Sequence, residues 1–250
     1  MMRKYHLMLS ILILALFAGG VRAGEPVDKA VADKLRKHME STLEGLVVDS
    51  ISSSELPGLY EVMLQNGIVV YASVDGKYVL EGNLLAATAD GYINVTEQRR
   101  DVARKRQLAV IDKKDMIIFP AKDNKAKTYV TVFTDVTCFY CQKLHKEVPE
   151  LNRRGVEVRY LAYPREGVGS PGFRQLATAW CSKDPAASLT RLKEGKSVSG
   201  QVCAGNPVAA QYMLGQKLGV RGTPAIIDES GRMIPGYRSA DQLMADLGLN

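Results

Sequence analysis

Cys138-Phe139-Tyr140-Cys141 is the stretch of this chain whose residue types and spacing can do chemistry. Two thiols separated by two residues can close a disulfide and open it again by exchange. The pair stands between a β-prone apolar run, residues 129–133, and a helical pattern that begins at Cys138. A thiol at a helix N-terminus meets unsatisfied N–H groups and the positive end of the helix dipole. Both favour the thiolate, which is the reactive form. Cys138 is therefore the candidate nucleophile and Cys141 the candidate resolving thiol. His145 lies two turns along the same helix. It is read as a structural, helix-surface histidine, because proton transfer requires hydrogen-bond reach.

Cys181 and Cys203 complete the four cysteines, all of them in the C-terminal half. Four cysteines permit three pairings. The reading adopted is an active pair Cys138–Cys141 and a structural bridge Cys181–Cys203. Four free thiols or a zinc site are the alternatives. Zinc sites usually combine two close-spaced pairs, and the second pair here is widely spaced, so no metal is expected. No cofactor is expected either.

Residues 1–23 read as a cleavable secretory signal. Arg3 and Lys4 precede an apolar run, and Val21-Arg22-Ala23 offers a small-residue cleavage site. Disulfides persist in the oxidising compartment that an exported chain meets. Cleavage after Ala23 removes three basic residues and no acid, which lowers the formal net charge of +6 by three. So weak a bias gives no reason to expect nucleic acid as a partner.

The elements that must position the thiols follow from patterning. Residues 27–43 carry an apolar stripe at helical spacing, through Val27, Val31, Leu35 and Met39. β-prone runs follow at 46–51, 59–64, 68–74 and 78–80. Asn66-Gly67 and Asp75-Gly76 between them favour tight hairpin turns. This is a small antiparallel α+β unit, marginal if it stands alone. Residues 96–111 read as a charged linker helix with a solvated basic face rather than a docking surface.

From residue 128 the pattern becomes α/β. A strand at 129–133 leads to a helix at 138–153, which Pro149 should kink or end. A second strand at 156–163 precedes a mostly helical stretch, 171–218. Residues 225–227 and 233–234 flank a turn and predict a hairpin. Ser239 with Gln242 forms a capping-box signature for a last helix. Strand, helix, strand, helical insertion, hairpin and helix is the order of a thioredoxin fold with a helical insert. Gly222-Thr223-Pro224 opens the third strand of that order.

The run from Thr134 to His145 closely resembles the DsbC/DsbG family of periplasmic thiol:disulfide interchange proteins. So do Val158 to Arg165, Ala179-Trp180-Cys181, Leu218 to Ala225, and Asp75-Gly76-Lys77 in the N-terminal region. The resemblance implies a homodimer. Each subunit would carry an N-terminal cystatin-like α+β dimerisation domain at 24–94. A linker helix at 95–113 would join it to an α/β thioredoxin-like catalytic domain at 114–250. It implies that Thr223 and Pro224 form a cis-proline loop whose Thr223 N–H and C=O are free to pair with client backbone, in the manner of β-augmentation. Phe139 and Tyr140 are further expected client contacts.

The implied activity is isomerisation or reduction of wrong disulfides in exported proteins, in the periplasm, with the membrane reductase DsbD as electron donor. DsbG-like reduction of sulfenylated cysteines and a holdase chaperone are the alternatives. The chain departs from the family in carrying Phe139 where glycine is common between the first cysteine and the tyrosine. Val132 occupies the position where many thioredoxins hold a buried acid. The sequence names no base for Cys141.

Overall fold

A computed structural model describes residues 26–249. The expected signal segment, 1–23, lies outside the described residues. Helix α1, Lys29–Thr42, starts at Asp28, whose carboxylate accepts from the N–H groups of Ala30 and Val31. Its Leu35 and Met39 are buried against Val48, Val62, Leu64 and Val70. Burying each such side chain contributes about 1.5–3 kcal/mol.

The residues beneath α1 belong to an antiparallel sheet of order β1-β2-β3-β4: β1 Val48–Ser53, β2 Leu59–Leu64, β3 Val69–Ser73 and β4 Val79–Glu81. Gly67 and Gly76 turn the chain between strands at φ of 77° and 72°. Gly67 is needed twice over, because a Cβ there would meet the Lys217 carbonyl. A further hairpin, β5 Leu85–Thr88 with β6 Gly91–Asn94, was not expected. It is short and mostly exposed, so it carries no clear alternation of apolar and polar residues.

Helix α2, Val95–Ala109, is the expected charged helix. Its basic face is not simply solvated, which corrects the sequence reading. Arg104 is buried, donating to the Leu218 carbonyl and pairing with Glu97 and Asp101 at 2.7 Å each. Buried charge of this kind persists only when paired, and the partners come from the helix's own acids and from a distant loop.

A five-stranded sheet follows, of order β11-β10-β8-β9-β7. Its strands are β7 Ile117–Phe119, β8 Thr128–Thr134, β9 Val156–Ala162, β10 Ala225–Asp228 and β11 Met233–Pro235. β8 and β9 are parallel and the other neighbours antiparallel. β8 is central and nearly all buried, which explains its continuous apolar run. Helix α3, Phe139–Arg153, makes the crossover from β8 to β9. Pro149 does not end it. Val148 and Leu151, on either side, are held in the core, and tertiary packing outweighs the local preference.

The helical insertion comprises α4 Pro171–Trp180, α5 Pro185–Lys193 and α6 Val208–Lys217. Helix α7, Ala240–Asp246, carries the expected Ser239–Gln242 capping box. The main core lies between the sheet and helices α3, α4, α5 and α7. A smaller one on Phe133, Leu161, Val220 and Ile227 receives Leu108 from α2. Among the described residues no helix is long and apolar enough to cross a membrane.

Candidate active site

Cys138 is the N-cap of α3, at the C-terminal end of β8. Its N–H donates to the Asp135 carbonyl at 3.3 Å, and its own carbonyl accepts from Gln142 N–H at 3.0 Å. The thiol donates to the Thr223 carbonyl at 3.2 Å. The Thr223-Pro224 bond is cis. The structure thus places Cys138, Cys141, Thr223 and Pro224 together, but the Thr223 carbonyl is taken by the thiol rather than free. The Thr223 hydroxyl is buried beside the thiol pair.

Both Cys138 and Cys141 are buried free thiols. They differ sharply in acidity. A hydrogen bond from Cys141 holds the Cys138 thiol down at about 5, against the raising effect of burial. The Thr223 hydroxyl, the Cys141 backbone N–H and the Arg165 charge lower it further. Burial pushes Cys141 far up, and sharing its proton with Cys138 adds to that. A thiol that ionises readily beside a partner that keeps its proton is the division of labour that exchange requires.

Phe139 and Tyr140 are 69% and 56% exposed, with ring centroids 5.4 Å apart, edge to face. They form an aromatic surface beside Cys138. Cys181 and Cys203 form a disulfide, well apart in sequence from the thiol pair.

Sequence reasoning did not single out Asp135, Arg165 or Lys193. The Asp135 carboxylate accepts from the Thr137 N–H and hydroxyl at 2.8 Å each, and from the Arg165 N–H and Nε at 2.9 and 3.2 Å. Burial acts to raise its pKa, but the backbone N–H groups of Arg165 and Thr137 hold it below the ordinary carboxylate value. This ties the loop before α3 to the loop after β9. An aspartate ahead of a helix start is a turn signal that could have drawn notice. Lys193 gives no such signal, since it ends a helix among other charged residues.

His145 is buried rather than on the helix surface, as its helix face packs on the sheet. It sits between the Tyr160 hydroxyl, 3.1 Å from Nδ1, and the Thr190 hydroxyl, 3.0 Å from Nε2. Burial and the Lys193 charge hold its pKa down at about 4. It is therefore neutral at physiological pH, with both ring nitrogens engaged.

Comparison with known proteins bears on the family and the fold. Residues 26–97 match the disulfide bond isomerase protein N-terminal domain, and residues 113–248 match a thioredoxin-like domain. The chain is 35% identical over 246 residues to the thiol:disulfide interchange protein DsbC of Dickeya dadantii, covering 98% of this chain and 95% of that one. It is 39% identical over 198 residues to the DsbC of Haemophilus influenzae, covering 78% and 82%. Among solved structures, a disulfide interchange protein from Neisseria gonorrhoeae is similar with a TM-score of 0.50 and 29% identity, over 56% of this chain and 98% of that one. An N-terminal isomerase domain, a thioredoxin-like fold and an ionised thiol at its helix N-terminus converge, and the chain belongs to the DsbC family of thiol:disulfide interchange proteins.

Proposed function

We propose that the protein isomerises and reduces wrong disulfides in exported proteins of the periplasm, acting as a homodimer through Cys138 and Cys141. The observation that carries this reading is the pairing of a low-pKa Cys138 with a high-pKa Cys141 beside the Thr223-Pro224 loop. The Cys138 thiolate attacks one sulfur of a client disulfide. A Cys138–client bond forms, the client S–S bond breaks, and the second client sulfur leaves as a thiolate that takes a proton from water. Attack by another client thiolate on the mixed disulfide then releases a reshuffled client, with no net change of oxidation state. If that stalls, Cys141 attacks Cys138 and the client leaves reduced, with the enzyme pair oxidised. The membrane reductase DsbD is the proposed source of the two electrons that reset it.

Ionisation of Cys138 removes the proton that occupies the Thr223 carbonyl. That carbonyl then becomes an acceptor for client backbone, while the buried Thr223 hydroxyl can donate to the thiolate. Phe139 and Tyr140 supply apolar contact to unfolded clients, and the Cys181–Cys203 bridge braces the helical insertion. Residues 24–94 are the proposed dimerisation domain, 95–113 the linker and 114–250 the catalytic domain. β4 fits the dimer reading, because it is an outer strand with Val79 and Leu80 exposed. Refolding of a scrambled multi-disulfide client tests the reading. The wild type should restore native pairings, a Cys138→Ala variant should not, and equal recovery by both would remove it.

A further inference from the structure

Cys141 must lose a proton before it can attack the mixed disulfide, yet it is 1% exposed and shielded from bulk water. The strand beneath it supplies no base, because Val132 is a buried apolar side chain. Both nitrogens of His145 are engaged by hydroxyls. Both oxygens of Asp135 are engaged by Thr137 and Arg165. Arg165 does not deprotonate. Tyr160 is fully buried and spent on His145. Glu194, next to Lys193, is exposed and pairs with Lys196 at 2.6 Å.

Lys193 remains. It is 4% exposed, and its Nζ donates to Thr134 Oγ1 at 2.6 Å and to the Asp135 carbonyl at 2.8 Å. An ammonium has three donors, so one is unassigned. Asp135 stands between the two groups, because its carbonyl holds Lys193 while its backbone N–H favours the Cys141 thiolate. The amine and the resolving thiol thus flank one residue, a gap of the kind that a single water bridges in proton transfer. Lys193 also lines a mostly apolar open recess of about 330 Å³ with Phe119, His145 and Pro149, a route by which its proton can exchange with water.

We propose that Lys193 is the proton acceptor for Cys141 in the resolving step, an inference that rests on the exchange mechanism above. The neutral amine takes the Cys141 proton through one intervening water and becomes ammonium. The Cys141 thiolate attacks Cys138 Sγ, the Cys138–Cys141 bond forms, and the Cys138–client bond breaks. The client sulfur leaves with the electron pair and is protonated, and Lys193 later returns its proton to water. The enzyme dithiol is oxidised by two electrons and the client disulfide is reduced by two. Burial brings Lys193 down to about 8, against the raising charges of Cys141, Asp135 and Cys138. About a tenth of it is then neutral at pH 7, enough for a base that works near its own pKa.

The test uses the full chain with oxidised glutathione as the disulfide, acid-quenched and followed by mass spectrometry. Lys193→Met should still capture glutathione at Cys138 but resolve the mixed disulfide about 10²-fold more slowly at pH 7. Its resolving rate should climb with hydroxide, whereas the wild-type rate should level off above pH 8. Lys193→Gln, which keeps a hydrogen bond but no base, should match Lys193→Met. Resolution by both variants at the wild-type rate would overturn the proposal. Should either variant fail to fold, the wild-type profile decides alone, and a rate still rising in proportion to hydroxide at pH 10 would overturn it. Failure of wild-type Cys138 to capture glutathione would instead bring down the exchange mechanism, and this inference with it.

Discussion

The Cys138 thiol donates to the Thr223 carbonyl across 3.2 Å, joining residues 85 apart in sequence. That bond fastens the N-cap of α3 to the loop before β10 and puts the sulfur beside the cis Thr223-Pro224 peptide. The acidity of Cys138 then decides whether the junction is closed by a thiol or opened by a thiolate.

Alkylation of Cys138 by iodoacetamide should follow its ionisation, reaching half its maximal rate near pH 5 and staying flat through pH 7. Arg165→Gln removes a positive charge that favours the thiolate, so the midpoint should move up. Absorbance of the thiolate at the same pH values gives an independent reading. A midpoint between 8 and 9 in the wild type would contradict the described electrostatics.

His145 should matter for stability and not for exchange. Its folded pKa, about 4, lies below its ordinary value of 6.5. The unfolded chain therefore binds the proton more readily between those values, and stability falls as pH drops from 6.5 to 4. His145→Leu should abolish that slope and, by stranding the Tyr160 and Thr190 hydroxyls, cost about 1–3 kcal/mol in denaturant unfolding at pH 7. Glutathione capture should be unchanged. A variant with full stability and slow capture would reverse the assignment.

The outer strand β4 should carry the dimer contact. Leu80→Asp places a charge on an exposed apolar edge. Dissociation, followed by analytical ultracentrifugation, should shift to concentrations about tenfold higher or more, given the 1.5–3 kcal/mol that burial of one leucine contributes. An unchanged dimer would move the interface elsewhere.

Much of this was legible from the chain. Cys138 at a strand-to-helix junction, the hairpin signals at Asn66-Gly67 and Asp75-Gly76, and the Ser239–Gln242 cap are local patterns, and each has a local cause. What was not legible depends on residues distant in sequence. Arg104 reads as a surface charge until the Leu218 carbonyl closes over it. Lys193 reads as the basic end of a solvated helix until Thr134 and Asp135 meet its ammonium, almost sixty residues away. His145 has a helical pattern that does not reveal which face packs on β9. The β5–β6 hairpin was missed because its residues bury too little to leave an alternating pattern.

The redox state of Cys138 and Cys141 in the cell tests the account most directly, read by acid quench and thiol alkylation with and without the membrane reductase. An isomerase must hold Cys138 as a free thiolate in an oxidising compartment. The expected result is a pair held mostly reduced in the normal cell and oxidised when the reductase is lost. A pair found mostly oxidised with the reductase present would contradict it and mark the protein as a disulfide donor.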